Sequence, residues 1–161
     1  MGIIVVDSSA LITLACAGAL DLLALSEHAV RTVKEVYRET VEAGLVRGLP
    51  DAKAIQRVFD EGLVAIGEPR RTERLTGISH TDSLVLRLAQ EVSARYVLTN
   101  DQPLFRKAQQ LSLPACFTAQ FVCLLHVAGA TTAARRDRLL DAFVAAGRYS
   151  EEFMRVFREG R

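Results

Sequence analysis

The sequence lacks an excess of charge of either sign. Its 20 Lys and Arg residues and 19 Asp and Glu residues give a formal net charge of +1 at pH 7. A protein that binds DNA or RNA through a broad basic surface carries a large positive charge. The composition therefore argues against that class, but not against an enzyme that acts on nucleic acid at a confined site.

Cysteine is scarce, and long hydrophobic runs are absent. Cys16, Cys116 and Cys123 are an odd set without the spacing of a metal site. Each lies in an apolar run, so we expect all three to be small core residues of a protein in a reducing compartment. No secretory signal opens the chain, and no apolar stretch is long enough to cross a bilayer. We therefore expect a cytoplasmic protein without a membrane partner.

What the sequence does contain is a regular alternation of strand and helix patterns. The 161 residues are 50% hydrophobic and 24% charged, which suits one domain with its own core. Five short apolar segments read as strands, and amphipathic helical patterns separate them: "IIVV", "HAVRTV", "LVAIGEP", "RYVLT" and "PACFTA". This order predicts an α/β fold with a mainly parallel sheet of about five strands, helices on both faces and a helical C-terminal end.

Two of the predicted strands run directly into aspartate. "IIVVD" ends at Asp7, and "RYVLTND" ends at Asp101. In parallel sheets, binding sites form beyond the carboxyl ends of the strands, where the strand order reverses. A simpler explanation for Asp7 is that it, Ser8 or Ser9 caps the following helix.

An acidic helix follows the second predicted strand. We expect Thr32 to cap this helix and Gly44 to end it. Glu35, Glu39 and Glu42 are spaced i, i+4, i+7, so one helix face carries three carboxylates. An ordinary solvated face with basic neighbours is the alternative explanation.

A fourth acid lies at the start of the amphipathic segment "TDSLVLRLAQEVSA". Asp82 is in the first turn of this predicted helix, with Thr81 as its expected cap. Acids are favoured at that position by the helix dipole in any protein. Singly, each acid has an ordinary structural explanation. As an ordered set on this topology, the acids predict a functional cluster.

The order of these segments resembles that of a known family. "IIVVDSSALI", "VYRETVE", "TDSLVLRLAQE" and "YVLTND" follow the four acidic signatures of PIN-domain ribonucleases across nearly the whole chain. The tail "LLDAFVAAGRYSEEFMRVFREG" resembles the C-terminal helices of a bacterial and archaeal PIN-like subgroup, whose relatives include VapC-type toxins of toxin–antitoxin pairs. The resemblance implies a single three-layer α/β/α domain over residues 1–161. Its core would span about 1–128, and a C-terminal helical extension would span about 129–161.

The resemblance also implies a site and an activity. The implied activity is endonucleolytic cleavage of RNA that leaves a 5′-phosphate and a 3′-hydroxyl. The implied partners are an RNA substrate, an antitoxin protein and a second copy of the chain in a homodimer. Glu35 and Glu42 remain alternatives for the second acid. Residues 70–80 are polar and basic, and we expect them to form a loop or lid. The implied catalytic and metal-binding residues are Asp7, Glu39, Asp82 and Asp101, and the implied substrate contacts are Ser9, Thr99, Asn100, Arg71 and Arg106.

Such a set of carboxylates suits the hydrolysis of a phosphodiester. The phosphate group that the water must attack already carries a negative charge. Mg²⁺ or Mn²⁺ lowers the pKa of the attacking water and neutralises charge in the transition state. Both are hard cations that take oxygen ligands. Carboxylates without histidine or cysteine therefore favour Mg²⁺ or Mn²⁺ over Zn²⁺.

Two other classes of protein share this topology. One is a catalytically inactive PIN-fold module that binds nucleic acid or protein. The other is a phosphatase or phosphotransfer domain with Asp7 as its nucleophile. A phosphatase of the haloacid dehalogenase type has a second acid two residues after the first, where this chain has Ser9.

A metal site of this kind predicts a metal-dependent stability. Neighbouring carboxylates destabilise the metal-free fold, and a ligand that binds only the folded state raises the melting temperature. We expect Mg²⁺ or Mn²⁺ to raise the Tm of the wild type, and Asp7→Asn to lose most of that increase. Thermal denaturation with each metal and with chelator measures this. A wild-type Tm that responds to neither metal would contradict the site.

Overall fold

A five-stranded parallel sheet forms the centre of the molecule, which we describe from a computed structural model over residues 1–159. The strand order is β3-β2-β1-β4-β5, and each neighbouring pair is parallel. This confirms the predicted sheet. The last two residues of the predicted C-terminal extension, 160 and 161, lie outside the described residues. The strands are β1 (Ile3–Val6), β2 (Ala29–Thr32), β3 (Val64–Ile66), β4 (Tyr96–Thr99) and β5 (Ala115–Phe117).

Helices connect the strands and continue after the last one. Within residues 1–159, no helix is both long enough and apolar enough to span a membrane. In chain order the helices are α1 (Ser8–Cys16), α2 (Leu22–Leu25), α3 (Lys34–Tyr37), the π-helical segment π1 (Arg38–Glu42), α4 (Ala43–Val46), α5 (Pro50–Asp60), α6 (His80–Glu91), α7 (Gln102–Gln110), α8 (Thr118–Val127), α9 (Ala133–Ala145) and α10 (Glu151–Glu159).

The sheet topology places the helices in two layers. The chain moves from β1 through β2 to β3 in one direction, and then from β4 to β5 in the other. Right-handed crossovers therefore place α1 and α5 on one face and α6 and α7 on the opposite face. α8 and α9 pack against α1 on its face, and α10 packs against α8 and α9. This is the predicted three-layer α/β/α fold, and its strand order reverses between β1 and β4.

The central strand is apolar along its length because both of its faces are covered. Ile4, Val5 and Val6 are fully buried, as expected for a strand between two helical layers. At the sheet edge, β3 exposes Ile66. The core thus lies around β1 and β4, the two strands that flank the reversal of strand order.

The prediction that all three cysteines are core residues is wrong for Cys16. Cys116 is buried and Cys123 is half-buried, but Cys16 is exposed at the end of α1. Its thiol donates to a carboxylate oxygen of Asp51 at 3.3 Å. An apolar run identifies a helix of the core, but it does not say which positions of the last turn face outward.

The predicted limits of the acidic helix are also wrong. Thr32 does not cap it, because its hydroxyl donates to the carbonyl of Val6 at 2.5 Å. Gly44 does not end it, because α4 continues to Val46. A Cβ at position 44 would lie 2.8 Å from the Cβ of Ala52 on α5. Glycine here allows two helices to pack closely, a requirement that no local helix signal reveals.

This close approach predicts an unusual response to Gly44→Ala. The substitution normally stabilises a helix interior by about 1 kcal/mol. Here we expect it to lower the free energy of unfolding by about 1 kcal/mol or more, because α4 and α5 must move apart. Chemical denaturation of the wild type and the variant measures this.

The reciprocal pair of variants supplies the control. Gly44→Ala with Ala52→Gly leaves one methyl group at the contact, so we expect it to recover most of the stability that Gly44→Ala loses. A stabilising Gly44→Ala would contradict the close packing of α4 on α5.

Candidate active site

Asp7 lies directly after β1, at the position where the strand order reverses. Its side chain is almost fully buried (2% exposed). The carboxylate accepts hydrogen bonds from the backbone N–H of Ala10 at 2.8 Å, the Ser9 hydroxyl at 2.8 Å and the Thr99 hydroxyl at 2.5 Å. Asp7 is thus the N-cap of α1, and the expected caps Ser8 and Ser9 are not.

The same hydroxyls connect Asp7 to the segment after β4. The Thr99 hydroxyl accepts from the backbone N–H of Asp101 at 2.9 Å. The Ser9 hydroxyl accepts from the backbone N–H of Asn100 at 2.8 Å. Asp101 in turn caps α7 by accepting from the N–H of Leu104 at 2.8 Å. Both aspartates at strand ends are therefore helix caps, and two shared hydroxyls hold their segments together.

Glu39 joins this end of the sheet from π1. Its carboxylate accepts from the Ser8 hydroxyl at 2.7 Å and from the Thr81 hydroxyl at 2.6 Å. Thr81 is free for this contact because Ser79, not Thr81 as predicted, caps α6 and accepts from the N–H of Asp82 at 3.1 Å. Glu39 therefore bridges the first turns of α1 and α6.

The acids of this helical segment have different surroundings. In π1 the backbone bonds connect residues five apart, so an i, i+4 pattern does not hold through it. Glu35 instead lines a separate cavity with Lys34 and Gly67. Glu39, rather than Glu35, lies with the other acids. The hydroxyl of Thr40 donates to the carbonyl of Val36 at 2.7 Å. Such a side-chain bond competes with the regular backbone hydrogen bonds of a helix.

The charge of Asp82 interacts with the charges of the other three acids. Partial burial raises its pKa, the hydrogen bond from Ser79 opposes this, and the negative charges of Asp101 and Glu39 raise the pKa further. The charge of Asp82 also raises the pKa of Asp7. The structure thus brings together Asp7, Glu39, Asp82 and Asp101. These residues lie up to 94 positions apart in the sequence.

The donor chemistry of this cluster suits a hard divalent cation. Its side chains offer only oxygen atoms, and among residues 1–159 no lysine, arginine or histidine forms an ion pair with any of the four acids. In the same part of the chain, no three His, Cys, Asp or Glu side chains stand in position to hold a metal ion. Glu39 is held by the hydroxyls of Ser8 and Thr81 instead, so metal binding requires acidic side chains to move.

The predicted substrate contacts differ in position. Ser9, Thr99 and Asn100 lie within the cluster, and Arg106 lies one turn into α7, where it donates to Gln102 at 3.4 Å. Arg71 does not approach the acids. Its backbone N–H donates to Glu91 at 3.1 Å, at the far end of α6 and about 13 Å along the helix from Asp82. The predicted lid thus belongs to an irregular segment over residues 67–79, and its backbone is anchored to Glu91 of α6.

Two residues that sequence reasoning missed complete the surroundings of the cluster. The Arg148 guanidinium donates to the Thr13 hydroxyl at 2.9 Å and to the carbonyl of Ser9 at 3.3 Å. The Tyr149 hydroxyl donates to the amide oxygen of Asn100. Both follow Gly147 in the turn between two helices, and neither belongs to a periodic pattern that would have identified it.

Asp7 predicts a pH-dependent stability of the metal-free protein. Burial raises the pKa of its carboxyl from the ordinary 3.8 to about 7, although the hydrogen bonds from Thr99, Ala10 and Ser9 lower it. The folded state therefore binds the proton more tightly than the unfolded state. The resulting stabilisation is complete below about pH 4 and is lost as the pH rises to about 7; the difference corresponds to about 4 kcal/mol.

The test compares wild type and Asp7→Asn in chelator, with the free energy of unfolding measured from acidic to mildly alkaline pH. We expect the variant to lack the loss of stability between about pH 4 and about pH 7, because asparagine resembles the neutral carboxyl. Asp60→Asn, at the exposed end of α5, is the matched control and should follow the wild type. Parallel profiles for wild type and Asp7→Asn would contradict the raised pKa.

Comparison with known proteins identifies the family. The family model DUF3368, described as a PIN domain, matches residues 3–157. Among solved structures, a PilT N-terminus domain protein, SSO1118 from the hyperthermophilic archaeon Sulfolobus solfataricus P2, shares the fold with a TM-score of 0.56 and 13% identity, over 76% of this chain and 92% of that one. No curated protein matches the sequence significantly. Since the family model covers nearly the whole chain, the protein belongs to the PIN-domain family.

Proposed function

We propose that this protein is a metal-dependent endoribonuclease that hydrolyses RNA phosphodiester bonds. PIN domains are generally nucleases and typically use divalent metals. The observation that carries the proposal is the convergence of four carboxylates at the reversal of strand order without a cationic partner among residues 1–159. Repulsion among these carboxylates lowers the stability of the fold. A catalytic role would explain why the protein carries such a cluster.

In this proposal Asp7, Glu39, Asp82 and Asp101 hold Mg²⁺ or Mn²⁺. A divalent cation bound there lowers the pKa of a water molecule and neutralises charge on the phosphodiester. Thr99 and Ser9 orient the Asp7 carboxylate, and their hydrogen bonds favour its ionised form. The hydroxyls of Ser8 and Thr81 hold Glu39, which would have to turn to bind the cation. Ser9, Thr99 and Asn100 line the same site, and Arg106 contributes a positive charge one turn away on α7.

The choice of RNA is supported by the resemblance of the four acidic segments to PIN-domain ribonucleases. The same resemblance implies that cleavage leaves a 5′-phosphate and a 3′-hydroxyl. Metal-assisted attack by water needs no 2′-hydroxyl nucleophile. The toxin role, the antitoxin partner, the homodimer and the contact of Arg71 with substrate stay predictions.

One observation favours a second candidate, an inactive PIN-fold module that binds nucleic acid or protein. Within residues 1–159, the acidic side chains are not preassembled for a metal ion. In the inactive module, Asp7 and Asp101 act only as the helix caps that they are here. The two candidates differ in whether the carboxylates are needed for RNA cleavage.

Cleavage of a mixed small-RNA pool by purified protein separates the two candidates. With Mn²⁺ or Mg²⁺ we expect the wild type to cleave and Asp7→Asn and Asp101→Asn to lose at least a hundredfold in rate, because each removes a charged ligand of the cation. Chelator should abolish wild-type cleavage. The ends of the products should be 5′-phosphate and 3′-hydroxyl.

Asp141→Asn is the matched control, since Asp141 is an exposed aspartate of α9 that pairs with Arg158. It should cleave like the wild type. If no metal supports cleavage while the aspartate variants stay folded and bind RNA like the wild type, the ribonuclease proposal fails and the binding module is the better description.

A further inference from the structure

A small cavity lies beside the acidic cluster. Its volume is about 250 Å³, below the roughly 300–1,000 Å³ of pockets for drug-sized ligands. Its polar lining residues are Asn100 and Gln102, which flank Asp101 in sequence, and Arg148 and Ser150. The cavity therefore has room for one small unit of a ligand, and both sequence neighbours of the proposed catalytic acid Asp101 line it.

Arg148 gives this cavity a positive charge. The side chain is half-buried, and in the described part of the chain it has no carboxylate partner within ion-pair distance. Its guanidinium donates to the Thr13 hydroxyl and to the Ser9 carbonyl. A guanidinium has five N–H donors, so donors remain for an anionic ligand. Arginine is well suited to bind phosphate in this way.

Arg148 and its neighbour Tyr149 are held directly against the acidic cluster. The Ser9 carbonyl that accepts from Arg148 belongs to the residue whose hydroxyl donates to Asp7 at 2.8 Å. The Tyr149 hydroxyl donates to Asn100, whose backbone N–H donates to Ser9. A phosphate bound by Arg148 would thus be a neighbour of the group that the acids act on.

The other residues that line the cavity are aromatic, and we call them its aromatic wall. They are Phe117, Tyr149 and Phe153. The rings of Tyr149 and Phe153 are parallel with centroids 5.4 Å apart, and Phe117 meets Phe153 edge-on at 5.4 Å. Nucleobases of single strands pack on aromatic side chains of nucleic-acid-binding proteins, largely irrespective of sequence. A cationic donor beside an aromatic wall matches the two parts of one nucleotide.

We propose that this cavity is a nucleotide subsite for single-stranded RNA, in which Arg148 binds a phosphate next to the scissile bond and the aromatic wall packs against the adjoining base. The inference rests on the proposed ribonuclease function, because that function supplies the substrate class. It adds a binding residue and a base contact from the C-terminal segment, far in sequence from all four acids.

The test measures binding of a fluorescein-labelled, single-stranded octaribonucleotide by fluorescence anisotropy in chelator, so that cleavage cannot consume the probe. Ser150→Asp keeps the helix cap that accepts from the N–H of Phe153 but adds a negative charge to the cavity. Thr132→Asp makes the same change at the cap of α9, about 20 Å away along that helix. Arg148→Gln removes the cation, and Arg155→Gln, at an exposed arginine of α10, is its control.

We expect Ser150→Asp and Arg148→Gln to raise the Kd about tenfold, while both controls stay within about twofold of the wild type. An abasic probe of equal length should bind the wild type about fivefold more weakly or worse, and the Ser150→Asp variant should show a smaller difference between the two probes. The melting temperature of each variant is measured in parallel, and Ser150→Asp should melt like the wild type.

The subsite proposal is overturned if Ser150→Asp binds the probe as tightly as Thr132→Asp does, or if the wild type does not bind the probe. Cleavage assays with Mn²⁺ separate this result from the fate of the proposed function. If the wild type cleaves RNA and Ser150→Asp binds the probe unchanged, the subsite proposal is wrong and the ribonuclease proposal stands. If binding depends on Arg148 and Ser150 but no cleavage occurs, the subsite proposal stands and the ribonuclease proposal is wrong.

Discussion

The burial of one carboxylate, that of Asp7, is the constraint on which the rest of the site depends. A charged group placed in the protein interior is costly unless hydrogen bonds compensate it. Here the donors come from two separate elements, the start of α1 and the end of β4. Satisfying this one side chain therefore fixes where α1 begins relative to β4. The same hydroxyls then position the backbone of Asn100 and Asp101.

Neutral hydroxyl groups, rather than cations, satisfy the acids of the cluster. Ser8, Ser9, Thr81 and Thr99 donate to Asp7 or Glu39. This arrangement meets the hydrogen-bonding needs of the carboxylates but leaves their negative charge uncompensated. A lysine or arginine in the same places would neutralise part of that charge and would compete with a divalent cation. The near-zero net charge of the whole chain conceals this local excess of negative charge.

The C-terminal segment is part of the site rather than an appendage to it. Arg148 reaches Ser9 across a separation of 139 residues, and Tyr149 reaches Asn100 across 49 residues. Helix α10 is anchored by Met154, which is fully buried, and by ring contacts of Phe153 with Phe117 and Tyr149. These apolar contacts hold the preceding turn in place, so packing of the last helix determines the position of a polar group beside the acids.

The sequence by itself determined the alternating strands and helices, the parallel sheet and the two aspartates at strand ends. These follow from hydrophobic periodicity and from the geometry of crossover connections, which are local properties of a chain. The resemblance named Glu39 with Glu35 and Glu42 as alternatives, and only the tertiary structure showed Glu39 in contact with the first turns of α1 and α6. It likewise decided that Gly44 packs against Ala52, that Cys16 is exposed, and that Arg148 and Tyr149 border the site. Each of these depends on how segments distant in sequence pack together, and such packing leaves no periodic signal in the sequence.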